Sequence, residues 1–546
     1  QSSPRLPPPP PPAPTAAATT TVAATTTVVT AATTQAAAAA PPPPKEKAPA
    51  PPPADVGAAA TLGLLDGAPM CPNKEACLRI VDAMLDLQPR SAGLLQERGE
   101  KALGGGPCGE LCELPQPCGR GPDECRHDTY ENAVAAIYYV KRGRRAEAKK
   151  ILDSLIRGLY PRGIQSREGA GNFTLLAASY GSMGAKTTLS GREEDLLVDG
   201  NVDSGANAWA ALAFAHYAAA AQEPCYATVA RDILGSIRRQ ATCDDELGGF
   251  MGRLSPDPGF FRSTEQNADI FALARMLGDA EAERQAGGFV RAMYGRSEDY
   301  RESFATGTSG AARCDRRVPS GAPVATDANF LSLLADADPD KDHAVRALKF
   351  ALLTHGLDGR GRPTTEGLWA RDVDHLWGGG SAKPTLAGTR FSTRGHGVQW
   401  EVTASAAMAM LHVSSRHGEA SENAAAGGLR SKIREARLSL RTLLGMYGGV
   451  PASVLGGNYQ AWEAGKVDRP FPGGSDTGLG WPYLRYLDAS ATAWTGLLLL
   501  YQADEKDAID EEANPFARPS LPVPGSEDTS CLRAAAAAAA AAAPAA

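Results

Sequence analysis

The stretch that decides the fold is NVDSGANAW, residues 201–209, in which an acidic residue precedes small residues and the start of an apolar run. Segments of the same kind recur along the chain, and they begin at Asp128, Ser263, Thr326, Glu401 and Asp488. They are spaced roughly 60 to 90 residues apart, which leaves room for a long helical hairpin in each interval. The pattern predicts one supersecondary unit that is repeated six times.

Two kinds of helix alternate along the chain. The repeated segments carry Ala, Gly and Ser on nearly every face, as helices do when they are buried on all sides. More polar helices, with charged residues on one face and apolar residues on the other, are predicted at 76–87, 145–159, 226–240, 279–294, 340–355 and 429–446. No convincing strand with period-two alternation lies between residues 129 and 502. We therefore predict an all-α fold in which twelve inner and outer helices close a ring.

The composition excludes several classes of partner. The net charge of −7 provides no basic stripe for nucleic acid. No run approaches the roughly 20 apolar residues of a membrane span. We find no phosphate loop, dinucleotide fingerprint or Ser/His/Asp elbow, and we predict no cofactor. Because the chain starts at Gln1, we expect it to be the product of leader removal and to be secreted.

The cysteines indicate an oxidising compartment. Those that fall close together near the amino terminus, amid Gly and Pro, are Cys71, Cys77, Cys108, Cys112, Cys118 and Cys125. This density predicts a disulfide knot whose pairing the sequence leaves open. A zinc site at Cys108 and Cys112 is the alternative, but it lacks a second closely spaced pair, so we predict no metal.

Further along the chain, two more cysteines and one sequon predict covalent modification. Cys225 and Cys243 bracket one outer helix, and a bond between them would staple its ends. Cys314 and Cys531 stay unassigned. The sequon at Asn172 predicts N-glycosylation.

Low-complexity segments flank the helical region. Residues 1–62 are almost entirely Pro, Ala and Thr, which favours polyproline II or disorder and resembles the hydroxyproline-rich glycoprotein modules of plant and green-algal matrix. We expect O-glycans on this tail, and its residues 19–34 can pair with another chain as an added strand. Our predicted domains are this tail, a Cys-rich segment with the first outer helix at 63–128, the helical ring at 129–516, and a Pro/Ala-rich tail at 517–546.

The repeated segments resemble those of the six-hairpin (α/α)6 toroid glycosidase superfamily. More closely, they are similar to a group of bacterial extracytoplasmic toroid proteins whose reaction is unassigned. The resemblance covers residues 125–516 and rests on GANAW, STEQN, EVTA, ASATAW and NPF, at 205–209, 263–267, 401–404, 489–494 and 514–516. It implies an (α/α)6 toroid, and many members of the superfamily cleave or bind polysaccharides at one mouth of the barrel. Gln266 stands where the bacterial pattern has His.

Acidic residues stand at the starts of the inner helices. If these helices run in one direction, a single mouth of the barrel receives Asp203, Glu265, Asp327, Glu401 and Asp488. Glycoside hydrolysis uses two carboxyl groups, one protonated and one ionised. Helix capping is the alternative role for each acid. We select Glu265 as general acid, because Ser263 or Thr264 can cap its helix, and Glu401 or Asp203 as base or nucleophile.

Loop tryptophans predict a carbohydrate-binding mouth, because flat apolar rings stack on pyranose rings. Those in loops or at helix entries are Trp369, Trp377, Trp400, Trp462 and Trp481, and packing as local core is the alternative for them. Trp209 and Trp494 lie within inner helices and are predicted to be core. The residues that we predict to bind substrate are Trp400, Trp369, Trp377, Trp481, Tyr483, Asn207, Asn267 and His396.

Two functions are compatible with these features. The first is a secreted carbohydrate-active or glycan-binding toroid, in which we expect a long open cleft lined by the loop tryptophans and at least one raised carboxyl pKa. The second is a non-catalytic subunit of an extracellular glycoprotein fibre or cell-wall assembly, in which the tail docks on neighbouring copies.

Overall fold

Helices of alternating character make up most of the chain. The structure is a computed structural model, and it describes residues 70–88, 90–91, 94–95, 98–102, 127–160, 175–180, 197–199, 201–255, 259–353, 367–373, 385–418, 428–454, 474–479, 482–484, 486–522 and 528–534. The α-helices within these residues are α1 Lys74–Leu87, α2 Thr129–Lys141, α3 Arg145–Leu159, α4 Ser204–Ala221, α5 Pro224–Ala241, α6 Thr264–Leu277, α7 Ala280–Met293, α8 Thr326–Leu334, α9 Lys341–Ala351, α10 Trp400–His417, α11 Leu429–Tyr447 and α12 Ala489–Tyr501.

The even-numbered helices form an inner ring. Each packs against the next one, from α2 through α4, α6, α8 and α10 to α12, and α12 packs back against α2. Each odd-numbered helix packs on the outside of an inner one, and α1 covers α12. The ring is a closed (α/α)6 toroid, which confirms the predicted fold. It also confirms that the helix in the Cys-rich segment completes the outer layer.

Composition determines which helices become inner ones. In α4, every residue from Asn207 to Ala218 is buried, and half of them are alanine. Small side chains let neighbouring helices approach on all sides without leaving voids. In α5, by contrast, Val229 and Ile233 are buried, whereas Arg239 is exposed. One apolar stripe is enough for a helix that faces water on its other side.

Short antiparallel strands lie in the connections between the helices. We predicted no strand between residues 129 and 502, but most of these strands lie there. The strands are β1 Arg90–Ser91, β2 Leu94–Leu95, β3 Arg98–Ala102, β4 His127–Asp128, β5 Ser179–Tyr180, β6 Leu197–Asp199, β7 Val202–Asp203, β8 Arg253–Ser255, β9 Trp369–Val373, β10 Thr385–Thr389, β11 Gly474–Asp476, β12 Pro482–Leu484 and β13 Tyr486–Asp488. They pair as β1–β2, β9–β10, β11–β12, β13–β3, β4–β5–β6 and β7–β8. Strands of two to five residues are too short to show alternation, which is why the sequence pattern missed them.

An amide or hydroxyl side chain ties each inner helix to the chain segment beside it. The side chain lies four residues after the N-cap, and it holds the backbone N–H and C=O of one residue at once. In α6, Asn267 Oδ1 accepts from Phe250 N at 2.8 Å, while Nδ2 donates to Phe250 O at 3.0 Å and to Ser263 O at 2.8 Å. We call this two-bond contact between a side chain and the backbone of one residue a clasp. The clasps join Asn132 to Leu95, Asn207 to Leu176, Asn267 to Phe250, Asn329 to Phe304, Thr403 to Thr389 and Thr492 to Val450.

Replacement of one clasp tests its contribution to stability. We expect Asn267→Ala to lower the free energy of unfolding by about 2–4 kcal/mol, because both polar groups of Phe250 would be buried without partners. Gln285→Ala is the matched control, since its amide bonds only to Glu281 at a partly exposed site. That change is expected to cost less than about 0.5 kcal/mol. Urea unfolding measures both variants, and an unchanged midpoint for Asn267→Ala would contradict this role of the clasp.

The carboxyl-terminal NPF segment closes one end of the barrel. Asn514 Nδ2 donates to the carbonyl of Leu334 at the end of α8 (3.1 Å), and the Nε2 atom of His216 on α4 lies 2.7 Å from the carbonyl oxygen of Pro515. The ring of Phe516 packs 5.3 Å from that of Trp209. The inner helices therefore have a covered carboxyl-terminal end.

Three disulfides occur among the described residues: Cys71–Cys77, Cys225–Cys531 and Cys243–Cys314. The predicted staple between Cys225 and Cys243 is wrong. The intervening α5 has 18 residues and is about 27 Å long, whereas a disulfide joins Cα atoms only about 4.4–6.8 Å apart.

The bond from Cys225 instead holds the segment 528–534 of the predicted C-terminal tail against the toroid. The predicted knot residues Cys108, Cys112, Cys118 and Cys125, like the sequon at Asn172, lie outside the described residues. None of the described helices is both long and apolar enough to cross a lipid bilayer.

Candidate active site

A cavity of about 580 Å³ opens at the amino-terminal ends of the inner helices. Its walls come from the first turns of α2, α4, α6, α8 and α10, and its rim comes from residues near 253, 261–263, 306–308, 319–325, 391 and 479–483. The predicted gathering of helix N-termini at one mouth is therefore present. Among the described residues the cavity is a pocket, and neither Trp369 nor Trp400 lines it; the other loop tryptophans of the predicted cleft lie outside the described residues.

The internal repeat explains which side chains reach the pocket. The second residue of an inner helix faces it, and in five helices these residues are Tyr130, Gly205, Glu265, Asp327 and Glu401. The sixth residue of α4 and of α6 lies one turn deeper on the same face, and these residues are Trp209 and Asp269. Residues four apart share one face of a helix. The clasping asparagines point elsewhere, although they lie between these two positions.

Glu265 and Asp203 are neighbouring carboxyl groups of the pocket whose environments differ. Burial raises the pKa of Glu265 to about 7, and the negative charge of Asp203 adds to the rise. Asp203 Oδ1 accepts a hydrogen bond from Arg253 Nε at 2.8 Å, and the two form an ion pair. The β7–β8 register places these two residues directly opposite each other. One carboxyl thus keeps its proton up to about pH 7, beside another that has a cationic partner.

Glu401 is held by a directed chain of hydrogen bonds. Trp494 Nε1 donates to the Tyr130 hydroxyl at 2.9 Å, and that hydroxyl donates to Glu401 Oε1 at 2.5 Å. Since an indole N–H only donates, the direction of the first bond is fixed; the hydroxyl is the donor of the second bond when Glu401 is ionised. Burial raises the pKa of Glu401, while the hydrogen bond from Tyr130 opposes this rise.

Two further acids, Asp327 and Asp269, complete the ring. Burial raises the pKa of Asp327 well above its usual value, and the charges of Glu265 and Glu401 contribute. Burial also raises the pKa of Asp269, followed by the charge of Glu265. The sequence analysis noted Asp327 without selecting it, and it missed Asp269 and Tyr130. An alignment of the six inner helices on their N-caps would have found all three residues.

Helix capping is the role of some of the acidic and polar residues at these helix starts. Asp488 Oδ1 accepts from Ala491 N at 2.7 Å and therefore caps α12. Ser263 caps α6, and Gln399 caps α10. Glu265 and Glu401 therefore need not cap their own helices. The side chain of Asp203 makes no capping bond to α4.

Gln266 packs onto the start of the neighbouring helix. Its Oε1 atom accepts from Ser204 Oγ at 3.0 Å and from Gly205 N at 3.2 Å. A Cβ atom at Gly205 would lie 2.6 Å from Gln266 Cγ, so only glycine fits there. This glutamine satisfies a donor at the amino terminus of α4.

Several predicted substrate-binding residues are corrected by their burial. Trp369 and Trp400 are both 0% exposed, so their rings pack in the core and cannot stack on a sugar. Asn207 and Asn267 are also fully buried, and their amides are used by the backbone clasps. These residues were predicted from their proximity to helix starts, which does not define the face they occupy.

The remaining predicted residues divide into three groups. Tyr483 lines the pocket, and its ring packs 5.6 Å from Phe391. His396 is buried in the loop layer, where its backbone pairs with Asp476, and it lies outside the pocket lining. Trp377, Trp462 and Trp481 lie outside the described residues. Trp494 is core as predicted, whereas Trp209 was predicted to be core and lines the pocket as well.

A buried arginine fixes part of the rim. Arg262 is 0% exposed and makes a two-pronged contact with Asp245, with N–O distances of 2.8 and 3.0 Å. It also donates to the carbonyl oxygens of Gly248, Cys314 and Asp315. The Cys243–Cys314 disulfide joins the same two loops. This side of the mouth is therefore preformed.

The described residues contain no cluster of three or more His, Cys, Asp or Glu side chains arranged to hold a metal ion. The described side chains of the pocket supply carboxyl groups and tyrosine hydroxyls. Such groups transfer protons and stabilise developing positive charge.

No family model matches the chain, and no curated protein does so either. The chain is similar in fold to a family 76 glycoside hydrolase from a bovine Bacteroides thetaiotaomicron strain, at 9% identity over 79% of this chain and 78% of that one, with a TM-score of 0.46. An α-1,6-mannanase from Salegentibacter gives 12% identity, 78% and 97% coverage and a TM-score of 0.42. An endo-β-1,4-glucanase from Acetobacter xylinum gives 12% identity over 66% of this chain and 99% of that one, with a TM-score of 0.39. We argue function from the pocket, because likeness at this level concerns only the fold.

Proposed function

We propose that this protein is a secreted glycoside hydrolase that acts on extracellular polysaccharide, with Glu265 as general acid. The observation that carries the proposal is the pairing of Glu265, whose pKa is raised to about 7, with Asp203, which is paired with Arg253. Two neighbouring carboxyl groups whose environments differ in this way match the acid and base of glycosidic cleavage.

The pocket supports the steps of such a reaction. Glu265 gives its proton to the glycosidic oxygen as the bond to the anomeric carbon breaks. The positive charge that develops on the sugar ring is stabilised by the negative charge of Asp203. Asp203 either attacks the anomeric carbon and forms a glycosyl ester that water then hydrolyses, or takes a proton from the water molecule that attacks this carbon. The Tyr130 hydroxyl holds Glu401 in a fixed position beside the reacting sugar.

Aromatic side chains supply the apolar part of the pocket. Trp209, Phe261, Phe391 and Tyr483 all line it. Aromatic faces pack against the C–H groups of sugar rings, while the acids bond to hydroxyl groups. The disulfides among the described residues further support secretion.

The pH profile on a panel of plant and algal polysaccharides tests this function. We expect release of reducing ends, with kcat/KM falling above about pH 7 as Glu265 loses the proton that it must donate. The direction follows from the raised pKa, because a carboxyl at its ordinary value would lose activity at a lower pH. Absence of release from every substrate, or a profile that stays flat to pH 9, would overturn the assignment.

The fibre subunit remains the alternative prediction. Its motivating features, the tail at 1–62 and the segment 19–34, lie outside the described residues. Self-association and O-glycans on this tail are likewise predictions. Assembly that requires residues 1–62, in a protein that releases no reducing ends, would favour this alternative.

A further inference from the structure

Asp269 is a buried acid that the proposed reaction does not use. It lies on α6 one turn below Glu265, lines the pocket and is 1% exposed. Its Oδ1 atom accepts no hydrogen bond from the described part of the chain. A buried oxygen without a donor is costly, so this atom is available to a ligand with donors of its own.

The charges around Asp269 are unbalanced. Glu265 on α6 and Asp327 on α8 face it. The charge of Glu265 raises the pKa of both Asp269 and Asp327. The cationic side chains of the lining, Arg253 and Arg262, are paired with Asp203 and Asp245. The lower part of the pocket therefore carries more acid than the described cations neutralise.

An aromatic ring completes this region. Trp209 lies beside Asp269 and opposes the rise in the pKa of this acid. The Nε1 atom of Trp209 nevertheless makes no hydrogen bond of good geometry with the described residues. The Tyr130 ring meets Trp209 edge-on, with centroids 5.4 Å apart. Aromatic faces together with carboxylates are the usual environment for bound ammonium groups.

We propose that Asp269, with Asp327 and Trp209, forms a subsite for a sugar unit that carries a free amino group. An ammonium has three donors and a positive charge, so it can serve Asp269 and its acidic neighbour at once. The inference rests on the proposed function for the statement that the ligand is a sugar.

Binding of an ammonium should release protons from the pocket. Burial favours the protonated form of Asp269 in the free protein, and a cation beside it favours the ionised form. The ionisable groups that face this region from the surrounding elements are Tyr130 and Glu131 on α2, Asp203 on β7, Arg253 on β8, Arg262 just before α6, Glu265 on α6, Asp327 on α8, Glu401 on α10 and Tyr483 on β12.

Calorimetry on the full chain tests the subsite apart from turnover. The background is Glu265→Gln, and the probes are glucosamine and galactosamine, each compared with its N-acetylated form and with the parent hexose. We expect the free amines to bind at least about tenfold more tightly, which corresponds to about 1.4 kcal/mol. Titrations in buffers of different ionisation enthalpy should show proton release with the amines only.

The variant Asp269→Asn keeps the shape of the side chain and removes its charge. We expect it to bind the parent hexoses as before and to reduce the preference for amines to less than about threefold. Equal affinity for amine and hexose, or a preference that survives in Asp269→Asn, would overturn the proposal. If Asp269→Asn does not fold, the test is proton release on binding of the amines to the Glu265→Gln variant. Absence of proton release would then reject the subsite.

The outcomes separate this subsite from the proposed reaction. Tight binding of amines without hydrolysis of any glycan would refute the hydrolase and keep the subsite. Hydrolysis of uncharged glycans without a preference for amines would keep the hydrolase and refute the subsite.

Discussion

Replacement of Glu265 by glutamine is expected to lower kcat by about 10²–10⁴-fold on polysaccharide, because the amide has no proton to donate to the leaving oxygen. The substitution preserves the size of the side chain, and Ser263 still caps α6. The fold is therefore expected to remain intact, as measured by thermal unfolding. Kinetics of reducing-end release measure the loss.

The size of this loss should depend on the leaving group. An aryl glycoside whose phenol leaves without protonation needs little help from an acid, so we expect the Glu265→Gln variant to be impaired less on it. Asp340→Asn is the matched control, since it makes the same chemical change at the cap of an outer helix. Equal losses on both substrates, or full activity on polysaccharide, would exclude Glu265 as the acid.

The substitution Arg262→Met is expected to lower the free energy of unfolding by about 3–5 kcal/mol, because it leaves Asp245 without its partner in a partly buried place. Three backbone carbonyls lose their donor at the same time. Urea unfolding with the disulfides intact gives the value.

The chain offers a closely matched control for this prediction. Arg316 joins the same two loops through Glu246, but at the surface, where the side chains are 58% and 92% exposed. Arg316→Met is therefore expected to cost less than about 1 kcal/mol. Similar losses for the two variants would show that the loops are held by the Cys243–Cys314 disulfide and not by Arg262.

The sequence predicted the helical ring well because helix type follows from composition. Residues 208–218 of α4 carry small or apolar side chains on nearly every face, and a helix of this kind must be packed on all sides. The starts of the inner helices were also predictable, since Asp and Ser favour the N-cap position. The two-residue strands β4, β5 and β7 were not predictable, because their pairing depends on partners far along the chain.

The pocket was predicted only in part. Glu265 was identified because Ser263 or Thr264 can cap its helix, and Glu401 because it follows Trp400, but the ring of Trp400 is buried in the core. Adjacent helical positions face directions about 100° apart, so one neighbour reaches the pocket while the other is buried. Asp269 shares a face with Glu265, and this spacing was the signal that the sequence analysis overlooked.

The NPF segment determines how a polymer can meet the acids. A chain cannot be threaded through a tunnel that is stopped at its far end, and Asn514, Pro515 and Phe516 stop this one. Under the proposed function, we expect a terminal unit or a side branch of a glycan to reach Asp269, and products to leave as short pieces.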